Sequence, residues 1–290
     1  MENTYIDLFN EKMCSLFENV TDDLFQKRVI DAMEYSMQAG GKRVRPLLVY
    51  EFCKMCNGVV DKASIAACAI EMIHTASLIH DDLPAMDNDD FRRGKPSCHK
   101  AFDEYTAILA GDALITYAFQ VLADDDTISS DIKVKLISEL SKSTGFLGMI
   151  GGQQMDLELE NSENVSVEEL SLMCIAKTGA LIQCACKMGA ITAHAPKYLV
   201  DKASDYGMCV GLAFQIIDDI LDVESTQEVL GKPINSDVEE NKSTFVSILG
   251  LEESKRRAKK YTDKALKILE AFPDNEFMIK YTKELLNRNH

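Results

Sequence analysis

Apolar residues recur every three or four positions along almost the whole chain, which is the spacing of one face of an α-helix. The 290 residues include only six prolines, and no segment shows the alternation of a half-buried strand or an Asn-Gly hairpin turn between strands. Hydrophobic residues make up 46% of the chain, enough to fill a sizeable interior at a length near the upper limit for one core. The sequence therefore predicts an all-α fold, organised as one domain over residues 1–290.

The periodicity divides the chain into amphipathic segments that are separated by turn residues. The predicted helices cover residues 4–19, 22–38, 46–56, 62–82, 131–150, 202–223, 252–271 and 275–288, with further helices ending near 123 and beginning at 167. Internal repeats and low-complexity tracts are absent, so no composition shift marks a domain boundary.

The helix predicted over residues 62–82 ends in two adjacent aspartates, Asp81 and Asp82, and Pro84 follows them. Proline drives the residue before it out of helical geometry, so we expect the helix to end or bulge there. Negative side chains at a helix C-terminus oppose the helix dipole and therefore require a compensating cation. The break could also fold Asp87, six residues beyond Asp81, back onto a shared ion.

A second acidic cluster lies in another apolar helical segment. Asp218 and Asp222 are four residues apart, on one helix face, and Asp219 lies between them. Like charges at this spacing destabilise an isolated helix. Two solvated acidic faces are the simpler alternative, but two clusters flanked by Ile, Leu and Phe favour a hard divalent ion. Mg²⁺ usually takes one or two carboxylates and completes its shell with water and substrate phosphate.

The net charge of −16 opposes binding to nucleic acid or an anionic membrane, and we expect neither as a main partner. Local groups of cations are informative against this background. Lys42, Arg43 and Arg45 follow a Gly-Gly turn, and Pro46 is placed to begin the next helix. Such a turn favours a phosphate site, with a solvated basic loop as the alternative.

Other polar residues interrupt apolar helices. His74 lies seven residues before Asp81, on nearly the same face, although alone it could be a hydrogen-bonded core histidine. Lys177-Thr178-Gly179 predicts a kink, and Gly111-Asp112 lies within a long apolar helix. Arg92 and Arg93 add cations after the proline break.

Nine cysteines, scattered through apolar segments, indicate a reducing, cytoplasmic environment. We interpret Cys53-x-x-Cys56 as core packing, because no second pair or nearby histidine completes a zinc site. The N-terminus lacks a basic region followed by an apolar core, so no secretory signal is expected. No run of 18 apolar residues occurs, which predicts that no segment spans a membrane.

Five motifs in chain order resemble those of the trans-prenyl diphosphate synthases, in the short-chain farnesyl and geranylgeranyl group. The motifs are Gly41-Lys42-x2-Arg45-Pro46, Asp81-Asp82-x4-Asp87 with Arg92-Arg93-Gly94, Lys177-Thr178-Gly179, Phe214-Gln215-x2-Asp218-Asp219-x2-Asp222 and Gly231-Lys232. The resemblance runs from Gly40 to Phe245 by motif and to the C-terminus by layout. Asp103 and Asn235 stand where the family commonly has glycine, which puts loop geometry in question but not the activity.

The resemblance implies a helical bundle around a central cavity, usually in a homodimer, with Mg²⁺ (three ions, or Mn²⁺) as cofactor. The implied metal ligands are Asp81, Asp82, Asp87, Asp218, Asp219 and Asp222. The implied contacts to isopentenyl diphosphate are Lys42, Arg45, His74 and Arg93, and those to the allylic diphosphate are Arg92, Lys177, Gln215, Lys232 and Lys242. The implied catalytic residues are Asp81, Asp82, Lys177, Thr178, Gln215 and Asp218.

The implied reaction is a head-to-tail (1′-4) condensation, in which an allylic diphosphate ionises and the double bond of isopentenyl diphosphate attacks the cation. Gln215 and the backbone around Lys177 and Thr178 would stabilise that cation, and the released diphosphate would accept the proton. A class I terpene cyclase or a head-to-head synthase would not need the site at Lys42 and Arg45. A non-catalytic partner subunit would typically lose acidic ligands, which this chain keeps.

The resemblance also carries an expectation of product length. The growing chain would extend along the helix before Asp81, past Ser77, Ala76, Ile73 and Met72. Farnesyl-forming relatives often have a bulky aromatic at this level, whereas Ala76 and Ser77 are small. One helical turn of about 5.4 Å roughly matches one five-carbon unit. We expect geranylgeranyl diphosphate as the main product, with farnesyl diphosphate as the alternative if a facing helix closes the pocket.

Overall fold

Helices account for most of the chain in this computed structural model, which describes residues 2–18, 26–160, 162, 164–224 and 243–286. The helices are α1 (Glu2–Phe17), α2 (Lys27–Met37), α3 (Val44–Met55), α4 (Ser64–Asp81), α5 (Cys98–Ala101), α6 (Glu104–Asp124), α7 (Ser130–Thr144), α8 (Met149–Glu160), α9 (Val167–Cys174), α10 (Ala180–Thr192), α11 (Lys197–Glu224), α12 (Phe245–Leu249), α13 (Leu251–Leu269) and α14 (Glu276–Leu286). A 3₁₀ turn (Val60–Ala63) precedes α4, and a π-helical turn (Ile175–Gly179) joins α9 to α10. The prediction of an all-α fold is confirmed.

Two local predictions are wrong. The helix predicted over 131–150 is two helices, because α7 ends at Thr144 and Gly145 and Gly148 turn the chain before α8. A short hairpin is also present, with β1 (Phe91–Arg92) antiparallel to β2 (Lys95–Pro96). Its central residues, Arg93 and Gly94, both have positive φ angles, of 54° and 76°, as a type I′ turn requires. Arginine seldom adopts this conformation, so the local sequence contains no recognisable turn signal.

Most residues of helix α4 are buried, and its apolar residues do not form a single stripe. It packs chiefly against α6 and also contacts α1, α2, α3 and α10. Small side chains such as Ala66, Ala67 and Ala69 allow these neighbours to approach closely. The C-terminal end of α4, with Asp81, is therefore presented by a helix whose position is fixed from several directions.

The buried apolar residues form two clusters. The larger one includes Tyr50, Phe52 and Tyr206, and the smaller one surrounds α9, α11, α12 and α13. Ile217 and Tyr261 pack against both clusters, so the two are continuous. The single-domain organisation over residues 1–290 stays a prediction.

Three helical segments are long and apolar enough to cross a membrane by length and composition alone. They are Val60–Asp81, Glu104–Asp124 and Val167–Thr192. The criterion of one uninterrupted apolar run does not identify them, because polar residues lie within each segment. In the fold, α4, α6 and α10 pack against neighbouring helices.

Asp103, one of the two departures from the expected glycines, begins α6. Its Oδ1 accepts a hydrogen bond of 2.8 Å from the backbone N–H of Thr106, which is an N-cap. Its Oδ2 accepts a bond of 2.5 Å from Arg28. The substitution therefore gives a capped helix start, whereas Asn235 lies outside the described residues.

Candidate functional site

A cavity of about 680 Å³ lies between α4, α6, α8, the π turn and the start of α10. Polar side chains from α4 and the π turn line part of it, including His74, Asp81 and Lys177. The remaining wall is mostly apolar and includes Leu78, Ile108, Ile115, Met149, Ile150, Leu157 and Leu181. The cavity can therefore accept a long apolar molecule with a charged end.

The first acidic cluster has the folded-back geometry that the proline predicted. Helix α4 ends at Asp81, and the backbone N–H of Asp87 donates a 2.8 Å hydrogen bond to the carbonyl of Asp81. Burial raises the pKa of Asp81 to about 6, Lys177 opposes the rise, and the Asp87 carboxylate adds to it. Asp81 is thus a partly buried acid beside a second acid, a combination that a divalent cation would relieve.

Arg92 provides the compensating cation for Asp82 within the protein. Oδ1 of Asp82 accepts a 2.8 Å hydrogen bond from Nε of Arg92, and Nη2 of Arg92 contacts the same oxygen. Nη2 also donates a 2.8 Å bond to Oδ2 of Asp89. Burial raises the pKa of the Asp82 carboxyl, and the bond from Arg92 opposes that rise. Arg92 is consequently oriented by the acidic cluster, and the ligand role of Asp82 stays a prediction.

The second acidic cluster lies near the C-terminal end of α11. The two carboxylate oxygens of Asp219 accept hydrogen bonds from Gln215 Nε2, at 3.1 Å, and from the Phe245 N–H, at 2.8 Å. Asp219 thereby attaches the start of α12 to α11. Asp222 is buried and Asp218 half-buried on the same helix. Their roles as metal ligands are not tested by these contacts.

Lys177 links the two acidic clusters. It lines the large cavity together with Asp81, and it also lines a smaller cavity of about 150 Å³ with Gln215 and Asp219. The predicted kink is present as the π turn, which carries Lys177 and Thr178, and both residues line the large cavity. A π turn inside a helix frequently marks a functional site.

Two residues that the sequence analysis did not select hold Lys177 in place. Nζ of Lys177 donates a 2.5 Å hydrogen bond to Oδ2 of Asp156 on α8. A Cβ at Gly152 would lie 2.1 Å from the backbone nitrogen of Lys177, so α8 and the π turn are in backbone contact. The available signal was the polar run Gln153-Gln154-x-Asp156 within a helical segment.

Three of the four residues predicted for one diphosphate lie together. Arg45 and His74 line the cavity, and Nη2 of Arg93 is 3.5 Å from Nε2 of His74. Burial lowers the pKa of Arg45 to about 10, Glu71 opposes this and Arg93 adds to it. Nε of Arg45 is buried without a hydrogen-bond partner among the described residues. Burial and the neighbouring arginines lower the pKa of His74 well below its ordinary value, so the ring is neutral at neutral pH.

Arg43 does not join this group, although the sequence analysis placed it in the same cationic turn. Its guanidinium donates 2.8 Å and 2.5 Å hydrogen bonds to Glu71 Oε1 and the Met37 carbonyl. It also lies 5.0 Å from the centre of the Phe9 ring. Arg43 is therefore a structural residue, whereas Lys42 is exposed.

Of the four α4 residues predicted to set product length, one lines the cavity and three lie in the core. Ser77 lines the cavity, but Ala76, Ile73 and Met72 are fully buried in the core and do not line it. Ile115, Met149 and Leu181, on three other helices, form part of its wall. The sequence could not select them, because only the packing of helices brings them to one cavity. The role of the four α4 residues in chain length stays a prediction.

The donor set fits Mg²⁺ as a cofactor that is completed by substrate. Within the described ranges no three His, Cys, Asp or Glu side chains form a ready-made metal site. Mg²⁺ is usually bound by one or two carboxylates together with substrate phosphates, so a full protein cage is not required. The hard oxygen donors and the raised pKa of Asp81 agree with this. Lys232 and Lys242 lie outside the described residues.

Comparison with known proteins gives consistent matches. A family model described as polyprenyl synthetase matches residues 26–284. The geranylgeranyl diphosphate synthase of Cyanophora paradoxa is 43% identical over 264 residues, 90% of this chain and 88% of that protein. The farnesyl diphosphate synthase of Micrococcus luteus is 44% identical over 278 residues, 95% of this chain and 93% of that protein.

Solved structures are similar over almost the full chain. A geranyltransferase from Legionella pneumophila has a TM-score of 0.87 at 32% identity, covering 99% of this chain and 96% of that one. A geranyltransferase from Helicobacter pylori, complexed with magnesium and isoprenyl diphosphate, has a TM-score of 0.78 at 33% identity, covering 99% and 95%.

The two neighbouring arginines should respond oppositely to substitution. Arg43→Met is expected to lower the free energy of unfolding by about 3–5 kcal/mol, because it leaves Glu71 buried without its partner. Arg45→Met should leave that free energy unchanged or higher, since it removes a buried cation without a hydrogen bond on Nε among the described residues. Urea denaturation followed by circular dichroism measures both. Equal losses would show that Arg45 is a structural residue too.

Proposed function

Because the chain belongs to the polyprenyl synthetase family, and is thus a prenyltransferase that makes short-chain prenyl diphosphates, we propose that its main product is geranylgeranyl diphosphate. The product forms by repeated head-to-tail addition of isopentenyl diphosphate to an allylic diphosphate. The observation that carries the proposal is the large cavity, which has an apolar wall and a polar part where acidic and cationic side chains meet. Such a cavity suits a substrate with a diphosphate head and a hydrocarbon tail.

Isopentenyl diphosphate is held by Arg45, Arg93 and His74, with Lys42 at the exposed edge. The buried guanidinium of Arg45, whose Nε has no hydrogen-bond partner among the described residues, provides a charge-assisted contact to phosphate oxygens. The neutral His74 ring adds a hydrogen-bonding nitrogen without adding charge. Together these groups fix the position of the double bond that will react.

The allylic diphosphate is held at the acidic side of the cavity by Lys177 and Arg92, with Gln215, Lys232 and Lys242 as further contacts. Magnesium ions, three on the family's pattern, would be held by Asp81, Asp82, Asp87, Asp218, Asp219 and Asp222, and when bound they stabilise the charge on the leaving diphosphate. Lys177, fixed by Asp156, adds a permanent cation to the same region. Positioned charge of this kind lowers the barrier to carbon–oxygen bond cleavage.

The residues around the cavity then direct the carbocation. Gln215 and the backbone around Lys177 and Thr178 would supply dipoles to the charge that develops on the allylic carbon. The apolar wall, including Leu78, Ile115 and Leu181, limits access of water, which would otherwise capture the cation. Carbon–carbon bond formation follows, and the departing diphosphate takes the proton that is released.

Farnesyl diphosphate is the second candidate product, because a farnesyl diphosphate synthase is 44% identical to this chain. The small size of Ser77 and the volume of the cavity favour the longer product. A class I terpene cyclase or a non-catalytic subunit is disfavoured, since this chain keeps both acidic clusters and the cationic group at Arg45.

We place the enzyme in the cytoplasm as a homodimer. All nine cysteines are free, which suits a reducing compartment. Tyr105 and Leu109 on α6, with Phe146 and Leu147 before α8, expose between 53% and 83% of their surface. Exposed large apolar side chains often mark an interface when they are clustered, and we propose that a second copy buries these four through two-fold symmetry. The chain's net charge of −16 opposes an anionic bilayer as the partner.

Product analysis tests the proposed function directly. With Mg²⁺, isopentenyl diphosphate in excess and each allylic starter in turn, chromatography should show geranylgeranyl diphosphate as the main product. Ser77→Phe should shorten it to farnesyl diphosphate, because the ring enters the cavity that Ser77 lines. Ala76→Tyr tests the expectation from the sequence and should also reduce stability, since Ala76 is fully buried. A wild-type product that stops at farnesyl diphosphate would contradict the proposal.

Arg45→Ala should raise KM for isopentenyl diphosphate by about 10- to 100-fold, the effect of one lost charge-assisted contact. KM for the allylic substrate should change by less than about threefold, as that substrate binds at the other group. Arg256→Ala, a change at an exposed arginine on α13, serves as the matched control. Equal changes in both KM values would show that the assignment of the two sites is wrong.

Asp81→Asn and Asp218→Asn should each abolish turnover at any Mg²⁺ concentration while the far-ultraviolet circular dichroism stays that of wild type. Each change removes one anionic oxygen and no core volume. Asp90→Asn, an exposed position that pairs with Lys100, is the matched control and should remain active. Near-normal turnover in either test variant would contradict the two-cluster site.

Analytical ultracentrifugation should give about twice the 32.3 kDa chain mass. The double change Phe146→Ser and Leu147→Ser should weaken the dimer, because it removes the two most exposed of these four side chains. Val134→Ser, at an exposed position on α7, is the control. A monomer in the wild type would contradict the assembly and leave the proposed reaction standing.

A further inference from the structure

The last turn of α4 packs against α6 at Gly111, which has no side chain. A Cβ at Gly111 would lie 2.1 Å from Nε2 of His80, 2.6 Å from its Cδ2 and 2.8 Å from its Cε1. The imidazole ring of His80 therefore occupies the space over Gly111. Any larger residue at 111 would displace the ring, which immediately precedes Asp81 in the chain.

The ring is also fixed by polar contacts with α6. Nε2 of His80 lies 3.2 Å from the carbonyl oxygen of Ile108, and an imidazole nitrogen that bonds to a carbonyl must carry the proton. The same nitrogen is 3.8 Å from Oδ1 of Asp112. His80 and Asp112 both line the large cavity, beside Asp81. None of these contacts has a part in the reaction proposed above.

The end of α4 needs such a support. Its two carboxylates lie at the negative end of the helix dipole, and Pro84 prevents continuation of the helix. The Asp81 carbonyl accepts a hydrogen bond from the Asp87 N–H, and Arg92 holds Asp82, so His80 adds the contact to α6 that these bonds do not supply. Loss of the ring would leave the final turn, and Asp81 with it, less firmly held. A displacement of about 1 Å in a positioned group can reduce turnover by about 100-fold.

We propose that His80, seated on Gly111 and bonded to the Ile108 carbonyl, is a positioning residue that fixes the Asp81 carboxylate for binding of the metal–diphosphate complex. This role rests on the proposed function of Asp81, and it means that the acidic motif also requires His80 in its place against α6. It also gives a role to the Gly111-Asp112 pair, which the reaction leaves unexplained. Gly111 leaves the space that the ring occupies, and Oδ1 of Asp112 lies 3.8 Å from its Nε2.

Two variants test the two halves of this contact. His80→Ala removes the ring, and Gly111→Ala displaces it while leaving the histidine in the chain. Each is expected to lower kcat by about 10- to 100-fold and to raise the half-saturating Mg²⁺ concentration about tenfold, as loss of a supporting contact does at metal sites. KM for isopentenyl diphosphate should change by less than about threefold, because Arg45 and Arg93 are not involved. His80→Gln should restore most of the activity, since its amide N–H can reach the Ile108 carbonyl.

The double variant adds a sharper criterion. Once the ring has been removed, a methyl group added at position 111 has no ring to displace, so His80→Ala with Gly111→Ala should be no worse than His80→Ala alone. Gly189→Ala is the matched control, because a Cβ there would lie 2.2 Å from the Val49 carbonyl, a clash of similar severity between α10 and α3. It should lower stability and leave the Mg²⁺ requirement unchanged.

Binding of Mn²⁺ in the presence of inorganic diphosphate, followed by electron paramagnetic resonance, gives a readout that does not depend on turnover. Weaker binding in His80→Ala and Gly111→Ala, but not in Gly189→Ala, would support the proposal. Wild-type Mn²⁺ binding and Mg²⁺ dependence in both variants would overturn it, whatever their melting temperatures. If His80→Ala does not fold, Mn²⁺ binding is compared between His80→Gln and Gly111→Ala. Weaker binding in Gly111→Ala than in His80→Gln would support the proposal, and wild-type binding in Gly111→Ala would overturn it. Absence of prenyl transfer in the wild type would instead contradict the proposed function, and the Mn²⁺ measurement would still test the positioning role.

Discussion

The ion pair between Lys177 and Asp156 determines the arrangement of the site. Lys177 lines both cavities, the larger one together with Asp81 and the smaller one together with Asp219. Its position depends on a π turn and on the contact of that turn with Gly152, where a side chain has no room. Displacement of this cation would alter the electrostatic balance of both acidic clusters together, because charges interact strongly in a partly dehydrated cavity.

The buried charges of the site are only partly compensated by the protein. Arg43 is neutralised by Glu71, and this buried pair belongs to the fold. Asp82 is paired with Arg92 inside the acidic cluster itself. Asp81 has a raised pKa and Arg45 a lowered one, which shows that each is held where its charged form is disfavoured. Groups of this kind cluster at functional sites, since an incoming ligand can supply the missing charge. A diphosphate with its metal ions supplies both charges, because the metal ions are positive and can pair with Asp81, while the diphosphate is negative and can pair with Arg45.

The apolar part of the cavity depends on several helices at once. Ser77, Ile115, Met149 and Leu181 come from four different helices, and all four line the cavity. Ala76, in contrast, is enclosed by core packing although it adjoins Ser77 in the chain. Product length in such a site is a property of the packed bundle, because a substitution on one helix also moves the walls that the others supply.

The sequence alone determined the helical class, the break at Pro84, the kink at Lys177 and the oxygen-rich acidic clusters. These follow from local physics: the spacing of apolar residues, the geometry of proline and the chemistry of carboxylates. The motif resemblance already selects Arg45 and not Arg43, but only the tertiary structure gives the reason: Arg43 is bonded to Glu71, whereas Arg45 lines the cavity. The tertiary structure alone decided that Asp156 holds Lys177, that Gly111 seats His80, and that Ser77 rather than Ala76 lines the cavity. Those outcomes depend on how helices distant in sequence rotate and pack, and no local pattern records that rotation.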